Sequence, residues 1–268
     1  MKTFTKNLSL LLVAACIVNT TAFGYATLYE AVETNNLDNV KTCINEALKS
    51  KNHKQFLQFF TASEQYVGNA LVKAAWISRD LKIVEYLIAT AKKHLTHGQF
   101  AQFITARNES EDAANALIAA TCQVNFELIK YLIFTVKEAL SKDQFTQFIM
   151  VCPRACGTAL TRAVILNKFE IVHYLFSTAK EVFDKDQFAQ FIIASDEYHG
   201  PALIEAVAYN YLKMVEYLIT TAKKYCTKNQ MAQFVNAKNH HGETSLDLAK
   251  KLNNKAMIKI ISDAIATA

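Results

Sequence analysis

The chain has 268 residues, 51% of them hydrophobic and 20% charged, with only six Gly and two Pro. That balance points to a packed helical protein and excludes a disordered chain or a Gly-punctuated sheet. The net charge of +5 comes from basic residues that neither cluster into a stripe nor accompany a phosphate cradle or base-stacking motif, which excludes a nucleic-acid partner.

Residues 1–26 read as a signal peptide. Lys2 and Lys6 precede an apolar run from Leu8 to Val18, and small residues follow around Gly24 and Ala26. The run is too short for the ~20 residues that span a bilayer, so no integral membrane segment is expected once the signal is removed. The expected location is secreted or periplasmic. Val13-Ala14-Ala15-Cys16 also resembles a bacterial lipoprotein cleavage box, with Cys16 as the lipidated residue.

From residue 27 to residue 268 the chain repeats itself. Units start near 27, 70, 116, 159, 202 and 245, with a spacing of 43 residues and once 46. In the unit at 159, Leu160, Ala163 and Val164 mark one helical stripe, and Ile171, Val172, Leu175 and Phe176 mark a second. The spacing predicts two antiparallel helices per unit. Between them Asn recurs four residues after a small Ala, at Asn35, Asn167, Asn210 and Asn253, where its tolerance of the left-handed conformation suits a helix end.

Each unit but the last continues into a third element. Asn52, Thr96, Ser141, Asp184 and Thr227 are each followed three residues later by Gln, the capping-box signal in which the two side chains satisfy each other's otherwise unpaired backbone N–H. Apolar residues such as Phe188, Phe191 and Ile192 follow at i, i+3 and i+4, which predicts a short helix with one buried face. The second Gln of each box (Gln58, Gln102, Gln147, Gln190, Gln233) is expected on a polar face or bonded to a neighbouring unit, a ligand-facing row being the alternative. Gly68, Gly157, Gly200 and Gly242 stand just ahead of the repeat Leu, where a positive φ in a tight turn is expected.

The unit resembles the ankyrin repeat, most closely in Gly242-Glu-Thr244-Ser-Leu246-Asp-Leu-Ala249 followed by Met257-Ile258 and Ile261. It departs from that pattern in carrying Asn for Gly, Ala or Ser for Pro, and a period longer than the ankyrin norm of about 33. A HEAT or armadillo solenoid is the alternative at this period. The expected fold is all-α, an α-solenoid of about six ankyrin-like repeats, each a helix pair plus a short third helix.

Five cysteines follow the signal segment. Cys43 takes a core Leu position, and Cys152 and Cys156 lie in one loop, able either to close a local disulfide or to remain two free thiols. His240 and His241 lack a nearby Cys or carboxylate cluster, His94 and His97 flank a helix end where the dipole favours a cation, and Arg154 beside Cys152 is the setting of an activated thiol without a His partner. No catalytic, metal or cofactor site is expected. The resemblance implies instead a monomeric, non-enzymatic scaffold for a protein partner. Carried over, the family's contact positions fall on loop residues Tyr66, Arg107, Arg154, Tyr198, His199 and His240 and on first-helix residues Trp76, Arg162 and Tyr209; for Trp76 a place in the core is the alternative.

Overall fold

Alternation of short and long apolar stripes becomes alternation of short and long helices in the computed structural model, which describes residues 27–64, 68–77, 80–108, 114–154, 156–196 and 198–268. Residues 1–26, where a signal peptide is expected, and Tyr66 lie outside these residues. The first helices are α1 (Leu28–Glu33), α4 (Ala70–Ile77), α7 (Ala116–Cys122), α10 (Ala159–Ile165), α13 (Ala202–Ala208) and α16 (Ser245–Lys251). The second helices are α2 (Leu37–Ser50), α5 (Leu81–His94), α8 (Phe126–Ala139), α11 (Phe169–Val182), α14 (Leu212–Tyr225) and α17 (Lys255–Ala266). Third helices follow in the first five units: α3 (His53–Thr61), α6 (His97–Thr105), α9 (Lys142–Ile149), α12 (Lys185–Ile193) and α15 (Lys228–Asn236).

First helices pack side by side in chain order, each on its own second helix, and form the spine of the stack. They are short but apolar almost all round, since Ala70, Leu71, Val72, Ala74 and Ala75 of α4 are all buried. Such a segment is stable only between neighbours, because it is too short to persist alone in water.

All five capping boxes form. Ser141 Oγ accepts from Gln144 N at 3.3 Å while Gln144 Oε1 accepts from Ser141 N at 3.1 Å, and Asp184 and Gln187 do the same at 2.8 and 3.1 Å. The third helices then bury Phe56, Phe60, Phe100, Phe103, Phe145, Phe148, Phe188, Phe191 and Phe234. Successive units touch through these rings, with Phe60 and Phe103 centred 5.2 Å apart. The second Gln of each box is exposed in all five copies, the polar-face position.

Asn35, Asn167, Asn210 and Asn253 have φ of 50, 53, 61 and 52°, so the recurrent Asn supplies the left-handed turn between first and second helices. The turn is closed from the next residue: Lys168 N donates to Ala163 O at 2.8 Å and Tyr211 N to Ala206 O at 2.8 Å, the Schellman pattern. In the third unit the same turn is built on Val124, φ 56°, with Asn125 N donating to Ala120 O at 3.0 Å. A β-branched residue in this region is strained.

Three of the four glycines have the expected positive φ, Gly68 at 79°, Gly157 at 67° and Gly242 at 77°. Gly200 does not. A Cβ there would lie 2.7 Å from Ile204 Cγ2, so close packing on α13, and not turn geometry, excludes a side chain.

Two stability measurements follow. Ser141→Ala and Asp184→Ala should each cost about 1 kcal/mol in urea unfolding through loss of a cap; unchanged midpoints in both would remove the capping role. Val124→Asn, which restores the residue used in four other units at a half-exposed position, should stabilise by about 1 kcal/mol. Destabilisation would show that the Val124 side chain contributes packing that outweighs its backbone strain.

Candidate functional site

The turns that precede the first helices line up along one edge, because those helices pack in order. They are small hairpins. Strands β1 (Ser63–Glu64) and β2 (Gly68–Asn69) pair antiparallel, and the equivalent turns close through bridges from Arg107 to Asn115 and from Lys238 to Thr244. Side chains fix them. Asn69 and Asn115 are buried, cap α4 and α7, and donate Nδ2 to Phe103 O at 2.7 Å and Phe148 O at 2.9 Å, tying each turn to the third helix of its own unit.

The turn between the fourth and fifth units centres on Asp196, whose side chain is 1% exposed. Its Oδ1 accepts from Tyr198 N at 2.7 Å and His199 N at 2.6 Å, its Oδ2 accepts from Gly157 N at 2.5 Å, and His199 Nδ1 lies 3.0 Å from Oδ2. The carboxylate therefore joins two consecutive turns. Beside it Glu205 Oε1 accepts from Gly200 N at 2.7 Å. Burial raises the Glu205 carboxyl above the usual carboxylate range, against the opposing pull of the Gly200 N–H and His199. In the last turn Asn239 Oδ1 accepts from His241 N and Glu243 N, and Lys251 pairs with Glu243.

Of the residues expected to meet a partner, four are exposed on this edge or beside it. Arg107, Arg154 and His240 are exposed, the last with its ring tilted by 49° against that of His241, centroids 3.8 Å apart, and Tyr198 is 55% exposed. Tyr209 is also 50% exposed, but as the C-cap of α13 it stands at the far end of that helix from the turn, stacked on Tyr211 at 5.8 Å. The others are placed differently. His199 is half-buried and engaged by Asp196. Trp76 is half-buried against the core. Arg162 is half-buried because its Nε donates to Cys156 O at 2.5 Å and its Nη2 to Cys156 Sγ at 3.5 Å, which turns the guanidinium inward.

The titratable groups depart from expectation at three points. His94 does sit in the last turn of α5, but burial and the charges of Lys93 and His53 lower it instead of favouring the cation. Burial, together with the Asp196 charge, pushes the Cys152 thiol up to about 11, the reverse of activation by Arg154. Cys156 is in no disulfide, and its thiol is a hydrogen-bond partner of Cys122. Cys43 is core as expected, its thiol pushed up to about 11 by burial.

Sequence reasoning missed Asp196, although an Asp that bonds backbone N–H groups two and three residues on is ordinary turn chemistry. It also missed Phe134, 63% exposed on α8, where other units place Ala89, Ser177 and Thr220; comparing that column across units exposes it. Phe134 borders an open groove of about 140 Å³ with Tyr174, Lys137 and Glu181. A second groove of about 380 Å³, lined by Glu216, Ile219, Lys223, Ile260 and Asp263, lies between α14 and α17. Both are surface clefts between second helices.

Because the folded pKa of Glu205 is raised, its stabilising effect is full at low pH and is lost as pH rises through that folded value. Glu205→Gln keeps the acceptor for Gly200 N and removes the buried charge. Its melting temperature relative to wild type should therefore be higher at pH 7 than at pH 4. An equal difference at both pH values would mean that Glu205 titrates normally.

No protein-family model matches the chain, and no curated protein matches it in sequence. Solved structures do match in shape. A chain of the Bdellovibrio bacteriovorus complex between the predatory endopeptidase Bd0816 and immunity protein Bd3460 superposes with TM-score 0.57 at 21% identity, covering 91% of this chain and 99% of that one. The ankyrin repeat domain ABAYE2397 from Acinetobacter baumannii AYE gives 0.56 at 16% identity, covering 88% and 96%. The ankyrin repeat domain of Bcl-3, of the IkappaB protein family, gives 0.54 at 18% identity, covering 89% and 99%. Helix pairs stacked in order and hairpin turns along one edge are thus shared with known repeat domains, and the chain has the ankyrin-repeat fold, its units lengthened by a third helix.

Proposed function

We propose that the chain is an exported, non-enzymatic scaffold that binds a protein partner along its hairpin-turn edge. The observation that carries this reading is a row of side-chain-bonded turns presenting Arg107, Arg154, Tyr198 and His240. Exposed Tyr and Arg on a pre-organised surface are the residue types and the setting that dominate interface energies. Ordering such turns at the moment of binding would cost affinity, a cost that the backbone bonds of Asp196 and Asn239 reduce. Two of the similar structures are ankyrin repeat domains, and the third comes from a complex of two proteins, which agrees with work done by contact.

Export rests on residues 1–26. An effector-like role outside the producing cell and a scaffold tethered to its envelope share the same binding edge, and the Val13-Ala14-Ala15-Cys16 box favours the second where it is used. The mass of the mature amino terminus separates them, since a lipid on Cys16 would sink the secreted reading.

The binding reading is tested by affinity capture on the chain from residue 27 onward, compared with an Arg107→Ala/Tyr198→Ala variant of equal melting temperature. A partner retained by wild type should bind the variant about tenfold or more weakly. Equal retention by both would show that the turn edge is not the interface.

A further inference from the structure

The junction between the third and fourth units is unlike the others. Its turn reads Val151-Cys152-Pro153-Arg154-Ala155-Cys156-Gly157 in place of the Asn- or Asp-centred hairpin. Cys156, on that turn, is 5% exposed, and Cys122 is the last residue of α7 in the preceding unit. The two thiols hydrogen-bond each other, and Arg162 holds Cys156 by both its carbonyl and its sulfur. A guanidinium against one member of a thiol pair is the arrangement that supports a thiolate. The other member, Cys122, is raised by its hydrogen bond to Cys156, by burial and by the proximity of Cys156. The contact with Arg162 distinguishes Cys156 within the pair.

We propose that Cys122 and Cys156 form an oxidisable dithiol site, with Cys156 as the sulfur that reacts with a hydroperoxide and Cys122 as the sulfur that resolves it into an inter-unit disulfide. The Cys156 thiolate attacks one peroxide oxygen, the O–O bond breaks, and hydroxide leaves, so that sulfur is oxidised to a sulfenic acid. The Cys122 sulfur then displaces that oxygen, forming the S–S bond; the Cys122 proton goes to the departing hydroxide to give one water, and the proton that Cys156 gave up on forming its thiolate converts the first hydroxide into the second. Two thiols lose two hydrogens and one hydrogen peroxide becomes two waters. Thiols already within hydrogen-bond reach need only a small approach to the ~2.05 Å of a disulfide. Cys152, 30 residues from Cys122 in sequence and four from Cys156, is the competing partner; it is half-buried, and the Asp196 charge opposes a thiolate there.

The test is peptide mapping of the folded chain from residue 27 onward after hydrogen peroxide, with no reductant. The expected result is a Cys122–Cys156 cross-linked peptide, with Cys43, Cys152 and Cys226 still alkylatable, and return of both thiols with dithiothreitol. Cys152→Ser should give the same cross-link. Cys122→Ser should accumulate a dimedone-reactive sulfenic acid at Cys156, and Arg162→Gln should slow the loss of the Cys156 thiol. A Cys152–Cys156 cross-link, or a wild-type chain whose Cys122 and Cys156 both stay reduced while hydrogen peroxide oxidises its methionines, overturns the proposal.

Discussion

No unit of this chain can bury its own apolar surface. A first helix of seven or eight residues loses too much entropy per hydrogen bond to stand alone, and a third helix of eight or nine residues is no better placed. Stacking resolves both. Burying one Phe side chain contributes about 1.5 to 3 kcal/mol, and each third helix contributes two buried aromatic or Met side chains to a row that runs from Phe56 to Phe234. The capping boxes, at about 1 kcal/mol each, set where these helices begin; the ring row decides that they stay docked. Everything else follows from that continuous core, including the footing of the turns that Asn69 and Asn115 tie to third-helix carbonyls.

The repeated features were legible because they are local chemistry written several times over. Five capping boxes and four left-handed Asn residues could be read one copy against the next, and each formed. What the sequence hid lies in contacts between units. Gly200 resembles its neighbours in position, yet the contact with Ile204 that forbids a Cβ depends on how the turn meets α13. Arg162 looks exposed by its place in the first helix, and only the neighbouring turn shows that it bends back to Cys156. The pairing of Cys122 with Cys156 joins residues a unit apart, while the spacing in sequence drew attention to Cys152. Tyr66 was placed at the partner edge on the strength of the resemblance alone.

The turn edge combines order and variation. Its backbone is held by Asn69, Asn115, Asp196 and Asn239, each of which accepts from or donates to main-chain groups. The residues at its tips differ from unit to unit: Arg107, Arg154, Tyr198, His240. A rigid support with variable tips suits recognition, because changing a tip alters chemistry without disturbing the support. The exposed Phe134 breaks the same rule on another face, standing where the other units keep small or polar residues.

Several bonds between second helices, first-helix ends and third helices of neighbouring units recur at nearly one spacing along the chain. Asn254 to Asn210, Gln230 to Asp186 and Lys137 to Glu181 each join residues 44 apart, and Tyr211 reaches Ile165 across 46. From the third unit onward each unit therefore meets its successor through a closely similar register, and the described residues form a lattice in one dimension. For a gene encoding such a lattice, duplicating one whole period adds a unit whose two faces already fit. The number of units is then free to drift between lineages while the interface between them is inherited unchanged.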